Sequence, residues 1–199
     1  MSTKIKLPLF PLNQVILPKE KIPLHIFEER YKKMIENCLN TNSEFGLIYM
    51  KNDLIENIGC SVSIEKVIKK YDDGKYDILC RGIKRFKINK IFKNKDSWFG
   101  NVIFLDEKFK DIEKGYFDNT LNKYLSFILS ANIDTNFKAE LNKKTSYDFM
   151  KNILLPLELK QTILNLDNEK KRLDFINDFL DLAYLSTKQS PSSKKNTLN

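Results

Sequence analysis

The sequence has one histidine, His25, three cysteines, one tryptophan and six glycines in 199 residues, and each scarcity removes a class of chemistry. A single histidine excludes metal sites built on two imidazoles and leaves one conventional imidazole base. The glycines stand at 46, 59, 74, 82, 100 and 115, never closer than eight residues. A GxxxxGK[ST] loop needs two much closer glycines so that backbone N–H groups converge on phosphate, so ATP hydrolysis of that kind is excluded and no cofactor is expected. Cys38, Cys60 and Cys80 are odd in number and widely spaced. They read as reduced, small apolar residues, not as a disulfide framework or a zinc site. No apolar run approaches the ~20 residues of a membrane span, and MSTKIKLPLF lacks a secretory core before its first prolines. A cytoplasmic protein with no membrane partner is the expectation.

What is present is ample apolar and charged material: 42% hydrophobic, 12% aromatic and 30% charged residues, with a net charge of +8. A chain of this length and mix can bury a real core, as one domain or two small ones. The charge is uneven. Up to Leu105 there are 19 basic against 12 acidic residues, and from Asp106 onward 15 against 14. Much of the excess lies in Arg81 to Lys95 (RGIKRFKINKIFKNK), with seven basic residues, no acidic one, and Phe86 and Phe92 interleaved. Such a strip suits phosphates or acidic peptides. Simple strand alternation between solvent and core accounts for the same pattern.

Two regimes follow each other along the chain. From Ile5 to about Leu105, short runs rich in Ile, Val, Phe and Tyr alternate with turn residues. Leu7, Leu9 and Leu12 mark a first strand and Val15-Ile16-Leu17 a short run closed by Pro18. Phe27, Tyr31, Met34, Ile35, Cys38 and Leu39 then recur at helical spacing, with Glu28, Glu29, Arg30, Lys32, Lys33 and Glu36 on the other side. Phe45 to Met50, Val62 to Ile68, Tyr76 to Cys80 and Trp98 to Leu105 supply further strands, and Asp73-Gly74 between two of them is a strong hairpin signal. After Asp106 the spacing becomes helical. Phe117, Leu121, Tyr124, Leu125 and Ile128 form one stripe, Tyr147, Met150, Ile153 and Leu154 a second, and Leu173, Ile176, Leu180, Ala183 and Tyr184 a third. Pro156 precedes a shorter helix at Leu157 to Leu166, and Asp167 is the expected N-cap of the last. The prediction is an α+β chain: a β-rich part over 1–107 with one inserted helix, a helical part over 108–186, and a tail over 187–199 too poor in apolar residues to order.

The stretch LPLFPLNQVILPKEKIPLHIFEERYKKMIENCL at residues 7–39 resembles the opening of the substrate-binding N-terminal domain of Lon proteases, where an LPLFPL strand leads to a PLHIFE-x-RY helix start. The matching residues are Leu7 to Leu12, Pro23, Leu24, His25, Ile26, Phe27, Glu28, Arg30 and Tyr31. The likeness continues at Phe45-Gly46, at Ile58-Gly59 and through YDDGKYDILCRGIKRFKI, similar to the family's DGRY…L-x-G-x-RF hairpin. Lys160, Gln161, Leu164, Arg172 and Leu173 resemble its helical segment more loosely. The resemblance implies a PUA-like β domain, a curled sheet or partly open barrel, followed by a helical bundle. It implies a stand-alone, non-enzymatic member without the family's nucleotide and peptidase domains, linked to protein quality control.

Leu9, Phe10, Pro11 and Leu12 put large side chains on both faces of one strand, and Phe99 and Phe104 do likewise on another. A one-sided sheet cannot bury both faces unless helices cover the second. The expectation is that an exposed part of this surface, rimmed by Lys6, Arg81 and Arg85, receives unfolded or extended polypeptide segments; otherwise these residues pack helices onto the sheet. Two other partners fit the sequence: RNA or a nucleotide ligand on the basic β half, or one specific protein bound through the helices. His25 is placed at the helix entrance, where it caps or bridges to the β domain. The pairs Glu28-Glu29 and Asp72-Asp73 belong to a helix first turn and a β-turn and are not an acid/base couple.

Overall fold

The computed structural model of the protein describes residues 5–94, 97–107, 109 and 112–189. The elements run β1 (Ile5–Leu12), β2 (Lys21–Ile26), α1 (Glu29–Thr41), β3 (Phe45–Lys51), β4 (Leu54–Ile55), β5 (Ile58–Lys70), β6 (Tyr76–Lys93), β7 (Trp98–Phe104), α2 (Lys114–Ser130), α3 (Phe137–Glu140), α4 (Ser146–Phe149), α5 (Leu157–Asn165) and α6 (Glu169–Gln189). Two compact units divide the chain: residues up to Asp106 together with Lys151–Asn165, and Glu107–Met150 together with Leu166 onward.

In the first unit the strands order as β1-β7-β6-β5-β3-β4, with β2 on β6 and β1 also paired to β3. All pairings are antiparallel except β1–β3. Residues 5 to 8 of β1 pair with β7 and residues 9 to 12 with β3, so the sheet curls on itself. Leu7, Leu9, Ile48, Phe86, Ile88, Trp98 and Val102 form a core cluster in the curl. The other face of β1 is covered as well. Phe10 meets Tyr31 of α1 at 4.1 Å between ring centroids and Phe45 at 6.2 Å, so both faces of LPLFPL are interior.

Helix α1 buries Tyr31, Ile35 and Cys38 and ends where Asn42 adopts a left-handed conformation (φ 50°). Phe27 is not on that buried face: it precedes the helix and is 58% exposed. The PLHI segment that signalled a helix entrance is instead the strand β2, with His25 opposite Asp77. Val15, Ile16 and Leu17 are buried in a connection, not a strand.

Helix α5 belongs to the first unit, not with the other helices after Asp106. Arg85 of β6, only 1% exposed, donates from Nη1 to the carbonyl of Leu164 in the last turn of α5 at 2.7 Å. Gln161 donates to the Ile58 carbonyl at 3.0 Å, Lys160 pairs with Glu20 at 2.6 Å and Lys51 with Glu158 at 2.6 Å. The expected stripe Tyr147-Met150-Ile153-Leu154 is therefore not one helix. A short α4 and a 3₁₀ turn carry its start, and Leu154 is fully exposed.

In the second unit α2 and α6 pack together and α4 joins α6. Its interior is partly ionic. Arg172, fully buried, bonds Glu107 at 2.8 Å, Glu169 at 3.0 Å and Ser146 Oγ at 3.1 Å, while Ser146 N–H and hydroxyl both donate to Glu169. Burying one guanidinium is tolerable because carboxylates and a hydroxyl surround it. Asn168, not Asp167, caps α6, its side chain accepting from the Lys171 N–H at 2.9 Å. The helix runs to Gln189, three residues into the expected tail, and residues 190–199 lie outside those described.

Gly82 locks the loop after Val15-Ile16-Leu17 onto β6. Lys19 N–H donates to the Gly82 carbonyl at 2.8 Å and Gly82 N–H to the Glu20 carbonyl at 2.9 Å. A Cβ there would stand 2.2 Å from the Leu17 carbonyl oxygen. Gly82→Ala is expected to cost about 2–4 kcal/mol by urea denaturation, because backbone must move. Gly115→Ala, in the first turn of α2 with nothing near its Cβ, is expected to stabilise by about 0.5–1 kcal/mol.

Candidate functional site

The N-terminal half of β1 is where the core reaches the surface. Ile5, Lys6, Leu7 and Pro8, together with Phe104, Lys84, Asn37 and the Asn42-Ser43-Glu44 turn, line a cleft of about 550 Å³. Its walls have separate origins in the fold. Ile5, 40% exposed, and Pro8 lie on the part of β1 paired with β7. Phe104 ends β7 and stands edge-on to Phe86 at 6.5 Å. The left-handed Asn42 turns the chain from α1 toward β3 and so brings polar groups to the rim. The Lys6 ammonium lies over the Phe99 ring, 4.7 Å from its centroid, a cation–π contact at the rim. An apolar floor with charged and amide groups at the edge suits side chains of an extended peptide.

The residues nominated from sequence are only partly gathered here. Lys6 and Phe104 line the cleft, and Phe99 is half-buried beneath Lys6. Leu9, Phe10 and Pro11 are buried and Leu12 half-buried, so they support the surface without forming it; α1 covers the face that sequence left open. Arg85 is interior, holding α5. Arg81 lies elsewhere, bonded through Nε to Glu65 at 2.8 Å. Ile5, Pro8, Lys84 and the Asn42 turn were missed, since they come from β1, β6 and the end of α1 and only the folded arrangement brings them to one cleft.

The basic strip is not one stripe. Val62 pairs with Gly82 and Cys60 with Arg85, so β6 carries an extra residue between them and the alternation breaks. Arg81 is ion-paired, Lys84 and Lys87 face solvent, and Arg85 is buried.

His25 bridges within the first unit. Its Nδ1 lies 2.6 Å from one oxygen of Asp77, and the Tyr71 hydroxyl donates to the other at 2.7 Å. The three cysteines are buried. Burial pushes the Cys80 thiol up to about 12 and that of Cys60 higher still, which removes thiolate character at neutral pH. Among the described residues no three His, Cys, Asp or Glu side chains converge as metal ligands, and no helix is long and apolar enough to cross a membrane.

Two solved structures share this architecture. The Lon N-terminal domain protein from Xanthomonas campestris matches with a TM-score of 0.70 at 22% identity, covering 88% of this chain and 98% of that one. The N-terminal domain of Mycobacterium avium complex Lon protease matches with a TM-score of 0.72 at 12% identity, over 89% and 98%. The fold is thus that of a Lon N-terminal domain. The family model of the ATP-dependent protease La (LON) substrate-binding domain matches residues 6–182, and the chain belongs to that family. Lon protease of Buchnera aphidicola subsp. Baizongia pistaciae is 28% identical over 192 residues, 87% of this chain and 24% of the relative. Lon protease of Vibrio parahaemolyticus is 27% identical over 196 residues, 88% and 24%. The chain therefore spans about a quarter of the length of these curated relatives.

The Asp77 carboxyl is held below the usual carboxylate range, first by the bond to His25 and then by that to Tyr71. A depressed native value stabilises the fold above the unfolded-state value, and the contribution disappears as pH falls through the native one. Asp77→Asn is therefore expected to be less stable than wild type at neutral pH, with the gap narrowing as the pH falls below the ordinary carboxylate range in urea titrations. A gap unchanged between neutral and acid pH would contradict the assignment.

Proposed function

We propose that this chain is a substrate-recognition module that binds extended or unfolded polypeptide at the β1–β7 cleft, without catalysis of its own, and serves protein quality control. The observation that carries this is the continuity of the cleft floor with the core. Ile5, Pro8 and Phe104 offer apolar contact on a rigid sheet, while Lys6, Lys84, Glu44 and Asn42 offer hydrogen bonds at the rim. Apolar contacts on a preformed surface supply affinity that does not depend on one sequence, as recognition of many unfolded segments requires. Membership of the substrate-binding domain family supports the same reading.

The basic β half also suggested RNA. The division of the Arg81–Lys93 basic residues between ion pairs, solvent and core gives that reading less support than the cleft gives peptide.

A labelled, uncharged apolar peptide followed by fluorescence anisotropy tests the proposal. Saturable binding at micromolar protein is expected, weakened about three- to tenfold by Ile5→Ser with the circular dichroism spectrum unchanged. Folded protein with no saturable binding removes the proposal, and a stable complex with one protein but no peptide affinity points to a scaffold.

A further inference from the structure

A second cleft of about 340 Å³ lies on the first unit, lined by Lys19, Glu20, Lys21, Arg81 and Lys151. Its residues are distinct from those of the β1–β7 cleft. Glu20 in the lining and Glu65 beside it are already engaged. Glu20 accepts from Lys160 Nζ at 2.6 Å and from the Leu17 N–H at 2.9 Å, and Glu65 accepts from Lys21 and from Arg81. Lys19 and Lys151 make interactions of their own. The lining nevertheless carries four cationic side chains against one carboxylate.

The cleft is also preformed. Lys19 has φ 69°, a left-handed conformation that a lysine rarely adopts. It is held there by the two backbone hydrogen bonds to Gly82, whose missing side chain lets Leu17 approach β6. A loop whose backbone is fixed before binding loses less freedom when an anion arrives.

We infer that this cleft binds acidic, extended polypeptide, taking side-chain carboxylates that flank an apolar segment held elsewhere on the unit. The inference rests on the polypeptide-binding reading above and names a second feature of the bound chain. Carboxylates are favoured over phosphate by the lining itself. Glu20 and Glu65 remain beside the cations and repel a compact dianion at short range, whereas single charges spaced along an extended chain can each take a separate cation.

The test uses the full chain and three labelled peptides: glutamate alternating with serine, its glutamine counterpart, and the uncharged apolar peptide. At about 50 mM salt the glutamate peptide is expected to bind about tenfold tighter than the glutamine peptide, and the advantage to shrink at about 300 mM. Lys21→Gln with Arg81→Gln is expected to lose about tenfold for the glutamate peptide, while Lys87→Gln with Lys90→Gln, of equal charge change outside the cleft, stays within about twofold. Equal losses in the two double variants, no preference for glutamate, or tighter binding of inorganic phosphate or an oligonucleotide would overturn the inference. Binding of the apolar peptide without the glutamate peptide defeats this inference alone; binding of neither defeats the polypeptide reading as well.

Discussion

The bond from Arg85 to the Leu164 carbonyl is the constraint on which the first unit turns. A guanidinium has five donors and no acceptor, so burying it in a sheet is costly unless carbonyls or carboxylates come to it. The last turn of α5 has the opposite deficit, since its final carbonyls have no partner within the helix. Joining the two satisfies one donor of the guanidinium and one carbonyl of the helix end, and the cation also lies at the negative end of the helix dipole. Residues 79 positions apart are thereby fixed to each other. The neighbouring ties, Gln161 to the Ile58 carbonyl and Lys160 to Glu20, set the position of α5 along the same sheet.

Glu20 shows how that anchoring reaches the surface. One of its oxygens accepts from Lys160 on α5 and the other from the Leu17 N–H. The loop carrying Lys19 is thus fixed on one side by a side-chain ion pair and on the other by Gly82. A left-handed lysine persists because its surroundings over-determine it. Loops held in this way give their side chains a fixed point of attachment.

Much of the architecture was legible because it is written in local pattern. The strands β3 and β7, the Asp73-Gly74 turn with Gly74 at φ 80°, and the long helices α2 and α6 follow from spacing and turn chemistry. What sequence could not show depends on distant neighbours. PLHI pairs as a strand because β6 offers it an edge, although the residues after it form a helix. LPLFPL looked like a surface because both of its faces are apolar, and only the arrival of Tyr31 and Phe45 makes the second face interior. Arg85 looked like a rim residue because charged residues are rarely buried, and its burial requires a helix end from another part of the chain. Of the candidate site, Lys6 and Phe104 were found from their chemistry. Ile5, Pro8 and Lys84 were not, since they meet only through the folding of β1 and β6 to one cleft and composition does not show that.

Strand β6 shows why a basic run is a poor guide to one binding surface. Arg81, Lys84 and Arg85 fall within five residues, yet one is ion-paired beside a cationic cleft, one lines the β1–β7 cleft, and one is buried under a helix. Regular alternation would put Arg81 and Arg85 on one face and Lys84 on the other. The extra residue between Gly82 and Arg85 breaks that rule and re-aims the side chains after it. A contiguous charge density in sequence thus becomes three different local settings. On β6 the basic residues thus divide among an ion pair at Arg81, a buried site at Arg85 and solvent at Lys84, Lys87, Lys90 and Lys93.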